Sequence, residues 1–185
     1  MNIYPPSLVC PPDVYNLWNP FAMKLITDWE EKDISIILNH IKIVCYHEEE
    51  TYDYFIEWLA QMVQYPAVKT TLIILQSAES WGKGRLCSLI EKLIRSSKYF
   101  ESSKPERGVC GNFNTPLTNA FFVRLSELSK KSTHDCENRI KVLITDPALQ
   151  ITHKGKDTID TTSFHRFMVA TNEEESMNTH KGDRR

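Results

Sequence analysis

The sequence predicts an α/β protein whose sheet-forming core follows a helical amino-terminal region. Three observations carry this. Residues 72–75 are an apolar, β-branched run of strand length, and Leu86, Leu89, Ile90, Leu93 and Ile94 then recur at helical spacing, so a buried strand feeds a helix. Two more apolar runs, residues 120–125 (AFFVRL) and 164–170 (FHRFMVA), read as further buried strands. Ahead of all three, two segments with helical period and no strand pattern end at Pro66. The division expected is an arm and helical region over 1–66 and a core over 67–185.

A chain of 185 residues can bury one sizeable core with a small helical appendage. Its formal charge of −2 and pI near 6.3 exclude global attraction to nucleic acid or anionic membrane, so any DNA contact is a local basic patch. Cys10, Cys45, Cys87, Cys110 and Cys136 are widely spaced and form no C-x-x-C pair, which predicts reduced thiols rather than zinc or redox chemistry. The start, MNIYPPSLVCPP, lacks a basic segment followed by an apolar one, and no apolar run reaches bilayer length. A soluble, intracellular protein with no membrane partner is the expectation.

Residues 1–12 hold four prolines and should be extended. Trp18 and Phe21 then suit a small aromatic cluster that anchors the arm on the core, in preference to base stacking. Ile34, Ile37, Ile41 and Val44 predict a first helix capped by Asp33, and Tyr52, Phe55, Ile56, Leu59 and Val63 a second, opened by Glu48, Glu49 and Glu50 at its positive end. His40 and His47 are too far apart for an i, i+4 metal pair and read as core or surface histidines. The two helices suggest a docking or oligomer-forming bundle in front of the core.

The turn after the first strand carries Gly82-Lys83, where a phosphate-binding loop places its glycine and lysine. Such a loop aims backbone N–H groups and a helix amino terminus at a polyphosphate while the lysine reaches the outer phosphates. Against G-x-x-x-x-G-K-[ST], Ser77 stands at the first glycine and Gly84 where a hydroxyl would hold magnesium. Residues 95–111 are polar and read as a surface connection. The strand at 120–125, expected beside the loop strand, ends in Ser126-Glu127, which leaves Glu127 as its one carboxylate. A short helix over 137–144 and a hairpin with Gly155 at its tip, flanked by Lys154 and Lys156, follow. The last strand ends in Thr171-Asn172, on the edge where open α/β sheets bind ligands.

These segments, in this order, resemble the superfamily 3 helicase domain of the primase-helicases of phages, poxviruses and other large DNA viruses. The resemblance runs from about Tyr15 to Arg185 through YNLW, HIKIVC, YDYFIEWLAQMVQYP, the phosphate loop, GNFN, FFVRLSEL, RIKVLIT, HKGKD, FMVATN and DRR. It implies a three-layer, AAA+-like P-loop ATPase core that uses ATP and Mg2+ to unwind or translocate DNA at a viral or phage replication site. Single-stranded or forked DNA, a homo-oligomeric ring such as a hexamer, and a primase domain are the implied partners. By the same resemblance Lys83 binds the β- and γ-phosphates, and Gly82 shapes a cradle completed by Ser77, Ser80 and Gly84. Glu127 is the second-motif acid and magnesium ligand, and Asn172 the sensor that orients the lytic water. Lys154 or Lys156 contacts single-stranded DNA, and Arg184 or Arg185 is an arginine finger reaching a neighbouring subunit. Ser77, Ser80, Gly84 and Ser126 depart from the family pattern, and the family continues past the position of Arg185. The alternative is therefore a degenerate nucleotide- or DNA-binding module that assembles with an active helicase or primase.

Overall fold

Residues 2–28, 30–126 and 134–172 are described by the computed structural model. In chain order the elements are α1 (Ser35–Val44), α2 (Glu49–Gln64), β1 (Ile73–Gln76), α3 (Lys83–Ile94), β2 (Tyr99–Ser102), the one-turn α4 (Pro105–Gly108), β3 (Phe122–Leu125), α5 (His134–Thr145), β4 (Ala148–Ile151), β5 (Ile159–Thr162) and β6 (Arg166–Thr171). The cap position of α1 is Ile34, whose carbonyl accepts from Ile37 and Leu38, and not Asp33, which stands one residue ahead and accepts the Ser35 N–H on Oδ1 at 2.8 Å. Helix α2 stops two residues before Pro66.

Four strands form a parallel sheet in the order β1-β6-β3-β2, while β4 and β5 pair as a separate antiparallel hairpin. Side chains alternate between the faces of the parallel sheet, as the two-residue strand period requires. Ile73, Leu75, Phe122 and Met168 join Phe55, Trp58 and Met62 of α2 and Leu86, Ile90 and Ile94 of α3 in one buried cluster. Val123, Leu125, Phe167 and Val169 face Cys136, Ile140 and Leu143 of α5 with Leu149 and Ile151 of β4. The result is a mixed α/β fold with its parallel sheet covered on both sides. Every residue of β6 is buried, in keeping with its place inside the sheet.

Several expectations change. Residues 95–111 are not merely a surface connection, because they contain edge strand β2 and the turn α4. The run Tyr99-Phe-Glu-Ser has only two apolar residues and escapes an apolar-run criterion. Strand β3 is not the neighbour of the loop strand, since β6 pairs with both β1 and β3 and separates them. Helix α2 applies its apolar face to the sheet, so the helical region shares the main core instead of standing in front of it. Cys110 and Cys136 form a disulfide across a separation of 26 residues, whereas Cys10, Cys45 and Cys87 are free. Tertiary folding brings that pair together, and its sequence spacing holds no sign of it.

The arm is anchored as its aromatic residues suggest. Trp18, Phe21 and Phe121 form an edge-on cluster with centroids 5.0–5.8 Å apart, and Phe21 is buried. Beneath the sheet's amino-terminal edge, Arg166 donates to the carbonyls of Phe164, Tyr65 and Val68, tying the end of α2 to β6. Lys69 Nζ donates to Leu143 O, Asp146 O and Ser163 Oγ, which gives the carboxyl end of α5 the cation it favours. Ser163 and His165 then continue this network, with His165 Nδ1 2.7 Å from Ser163 Oγ and Nε2 2.9 Å from Leu117 O.

Candidate functional site

Strand β1 ends at Gln76, and the chain turns through residues 77–82 before α3 begins at Lys83. Two left-handed residues make this turn, Ser80 at φ 67° and Gly82 at φ 87°. At Gly82 the glycine is required twice over. Its φ lies where L side chains are strained, and a Cβ there would stand 2.1 Å from His40 Cε1. His40 Nε2 lies 3.2 Å from Gly82 O, so α1 is seated on the loop, and Tyr46 at the end of α1 packs on Trp81 with ring centroids 5.3 Å apart. These contacts give His40 a position that its sequence spacing does not suggest.

Lys83 folds back into the loop and is buried. Its ammonium donates to Ser77 O and Ser77 Oγ at 2.7 Å, to Asn172 Oδ1 at 2.9 Å and to Ala78 O at 3.0 Å. Burial lowers the Lys83 pKa, the nearby Arg124 guanidinium lowers it further, and Glu79 opposes both. Asn172 reaches the lysine because β6 lies beside β1 in parallel, with Gln76 opposite Thr171. The structure thus brings together Ser77, Lys83 and Asn172, which are far apart in sequence. Ser80, Gly82 and Gly84 belong to the same turn and helix start, and Gly84 is exposed with nothing within 4 Å of a Cβ built on it.

One strand farther, Ser126 donates its hydroxyl to Glu101 Oε1 at 2.6 Å, and Arg124 Nη1 contacts Glu101 Oε2 at 3.1 Å. Glu101 and Arg124 lie opposite each other on β2 and β3. Neither stands out in the sequence, because Glu101 lies in a polar stretch that reads as a connection and Arg124 inside an apolar run. The alternation Tyr99-x-Glu101 beside Phe122-x-Arg124 is the signal that a pairing of these strands could use. Glu127, Arg184 and Arg185 lie outside the described residues. Among those residues no group of three His, Cys, Asp or Glu stands together as a metal site, and no helix is long and apolar enough to cross a membrane.

The hairpin of β4 and β5 is a sheet of its own, apart from the parallel sheet whose β1 leads into the Lys83 loop. Its tip carries exposed Lys154 and Lys156 around Gly155 at φ 73°. Buried Asn114 holds β4 where it runs into the tip, donating from Nδ2 to Gln150 O and accepting from Thr152 N.

Comparison with known proteins places these features in context. The family described as "Family of unknown function (DUF5906)" matches residues 75–185, from the end of β1 onward. The chain is 27% identical over 173 residues to the DNA Primase-polymerase of Nitratiruptor phage NrS-1, covering 92% of this chain and 24% of that protein. Its fold matches the apo structure of the NrS-1 C terminal region at TM-score 0.83 and 25% identity, over all of this chain and 46% of that one. An A form apo structure of the same region matches at TM-score 0.82 and 24% identity, over 45% of its chain. The chain therefore spans about a quarter of the phage protein and less than half of its C-terminal region.

Proposed function

The chain belongs to the DUF5906 family, and on that premise we propose that it is a nucleotide-binding module of a phage-type DNA replication protein, of the superfamily 3 helicase kind. The observation that carries this reading is the bond from Lys83 Nζ to Asn172 Oδ1, which joins the loop lysine to the polar end of the neighbouring strand. A lone lysine in a surface turn would be solvated. Here it is buried at the carboxyl edge of a parallel sheet, where α/β proteins bind ligands.

The residues present fit a triphosphate. ATP, when bound, supplies the anion and the bond that could be hydrolysed. Lys83 has four oxygen acceptors for three protons, so it can exchange loop carbonyls for phosphate oxygens without moving far. The amino terminus of α3 presents its first N–H groups to the same space. With its Oδ1 on Lys83, the Asn172 side chain turns its amide hydrogens elsewhere and can orient a water or a terminal phosphate. DNA would run along the hairpin tip, on Lys154 and Lys156.

The described residues do not fit magnesium. Gly84 has no side chain, the Ser126 hydroxyl is committed to Glu101, and the Glu101 carboxylate is shared with Arg124. That arrangement favours a second reading, in which the module binds nucleotide and assembles with an active helicase or primase without turnover of its own. One experiment separates the readings. ATP affinity and ATP turnover are measured with and without magnesium and single-stranded DNA, on wild type and Lys83→Ala. Loss of a charged hydrogen-bond donor should weaken ATP by about tenfold to a hundredfold. Equal affinity in the two proteins rejects the loop as the site, whereas binding without DNA-stimulated turnover selects the non-hydrolysing reading.

A further inference from the structure

At the amino-terminal ends of the strands, across the sheet from the 77–84 loop, lies a cavity of about 220 Å3. Its walls include Trp18 from the arm, Lys98 just before β2, Asn119 and Phe121 before β3, and Phe164 and His165 before β6. Among the described residues no aspartate or glutamate lines it. Lys98 is only 7% exposed, and its Nζ sits 3.8 Å from the centre of the Trp18 ring and 5.9 Å from that of Phe21. Those rings attract the charge but accept no strong hydrogen bond. Among the described residues the ammonium has no hydrogen-bond acceptor, although it carries three donors.

The Lys98 side chain lines the cavity, so acceptors for its three N–H groups must come from whatever fills that space. His165 cannot, because both its ring nitrogens are engaged, with Ser163 and with Leu117 O. We propose that this cavity binds a small organic monoanion, its carboxylate on the Lys98 ammonium and its apolar body against Leu117, Phe121 and Phe164. One cation favours a single negative charge over a phosphate dianion. The mixed lining favours an organic body over a bare inorganic ion. About 10–15 Å3 of such space admits one water, so this cavity is large enough for a small ring or short chain. The proposal does not depend on nucleotide binding, since the cavity and the loop lie at opposite edges of the sheet.

Burial and the nearby Arg95 lower the Lys98 pKa to about 8, so at neutral pH most molecules present the cation and an anion should raise the value again. The probes are benzoate and its neutral near-isostere benzamide, titrated into the full chain at pH 7. Benzoate should bind saturably and raise the melting temperature, benzamide should bind at least tenfold more weakly, and Lys98→Met should weaken benzoate by about tenfold to a hundredfold. The Lys98 side-chain NMR titration should move to higher pH in saturating benzoate. No saturable binding, equal binding of the two probes, or unchanged benzoate affinity in a cooperatively folded Lys98→Met variant overturns the assignment. If that variant does not fold, wild type still decides, because an unshifted Lys98 titration in excess benzoate excludes the contact.

Discussion

Single residues set how the loop and the core respond to change. Gly82 and Gly84 are two positions apart yet have opposite tolerances. Alanine at 82 meets both a strained φ and the His40 ring, and should destabilise the fold by about 1–3 kcal/mol with a matching loss of ATP affinity. Serine at 84 has open space, so Gly84→Ser should leave the melting temperature within a few degrees of wild type. If a missing hydroxyl is what weakens magnesium, the same variant should gain magnesium-dependent ATP affinity, which calorimetry with and without the metal can read. His165 makes a separate demand. Burial holds its pKa down to about 4, against 6.5 when unfolded, with the Leu117 carbonyl opposing the shift and Lys69 and Arg166 adding to it. Between these values the unfolded chain binds the extra proton, so stability is fully present above pH 6.5 and falls as pH drops towards 4. The loss attributable to this one side chain is on the order of 3 kcal/mol. Urea midpoints taken across that window should fall, and His165→Gln, although less stable at pH 7, should show a flatter profile. An unchanged slope in the variant would remove His165 as the cause.

Elements differ in how much of them the sequence discloses. The long apolar runs of β1, β3 and β6 and the periodic faces of α2 and α3 are legible within a few residues, because burial on both sides of a parallel sheet leaves an apolar signature. Strand β2 is not, since an edge strand covers little and its Glu101 carries charge. With β2 hidden, the Glu101–Arg124–Ser126 group is hidden too. The network of Lys69, Ser163 and His165 is unreadable for another reason, as it joins residues 94 and 96 positions from the lysine. Gly82, Lys83 and Asn172 can be picked out because each sits at the end of a recognisable element. The hairpin is also visible, through Gly155 between two strand-like runs. Its two lysines stand at the tip of a sheet of its own, and their replacement is a separate test of the DNA reading. Replacing Lys154 and Lys156 with alanine should weaken single-stranded DNA binding at every sequence and reduce the slope of log K against log salt by up to about 1.4, at ~0.7 for each phosphate no longer neutralised. An unchanged slope would assign both lysines to solubility.

At the scale of the whole molecule, what matters is whether one chain holds a complete site. The described residues bonded to the Lys83 ammonium include a serine and an asparagine, while Arg124, whose guanidinium acts on Lys83, is held by Glu101. Arg85 of α3 lines the cavity beside residues 79–82, and a further guanidinium able to neutralise charge spreading over a transferred phosphoryl group would come from elsewhere. In the ring reading it comes from a neighbouring subunit through Arg184 or Arg185, both outside the described residues. A guanidinium is always charged and planar, and such fingers contribute about 10³ to 10⁵ in rate where they act. Hydrolysis would then depend on assembly, so turnover per chain should rise with protein concentration until the oligomer is saturated. Mixing gives the sharper test. Subunits carrying Lys83→Ala keep their arginines but, at ATP near the wild-type dissociation constant, leave the loop largely empty, whereas subunits with alanine at both 184 and 185 keep the loop but lack the finger. Each preparation alone should be inactive with ATP and single-stranded DNA. Co-assembled, a loop from one kind can face an arginine from the other, and turnover should reappear in proportion to the mixed interfaces. Sedimentation of the same mixture establishes that co-assembly has occurred, and absence of turnover under that condition rejects a finger acting between subunits.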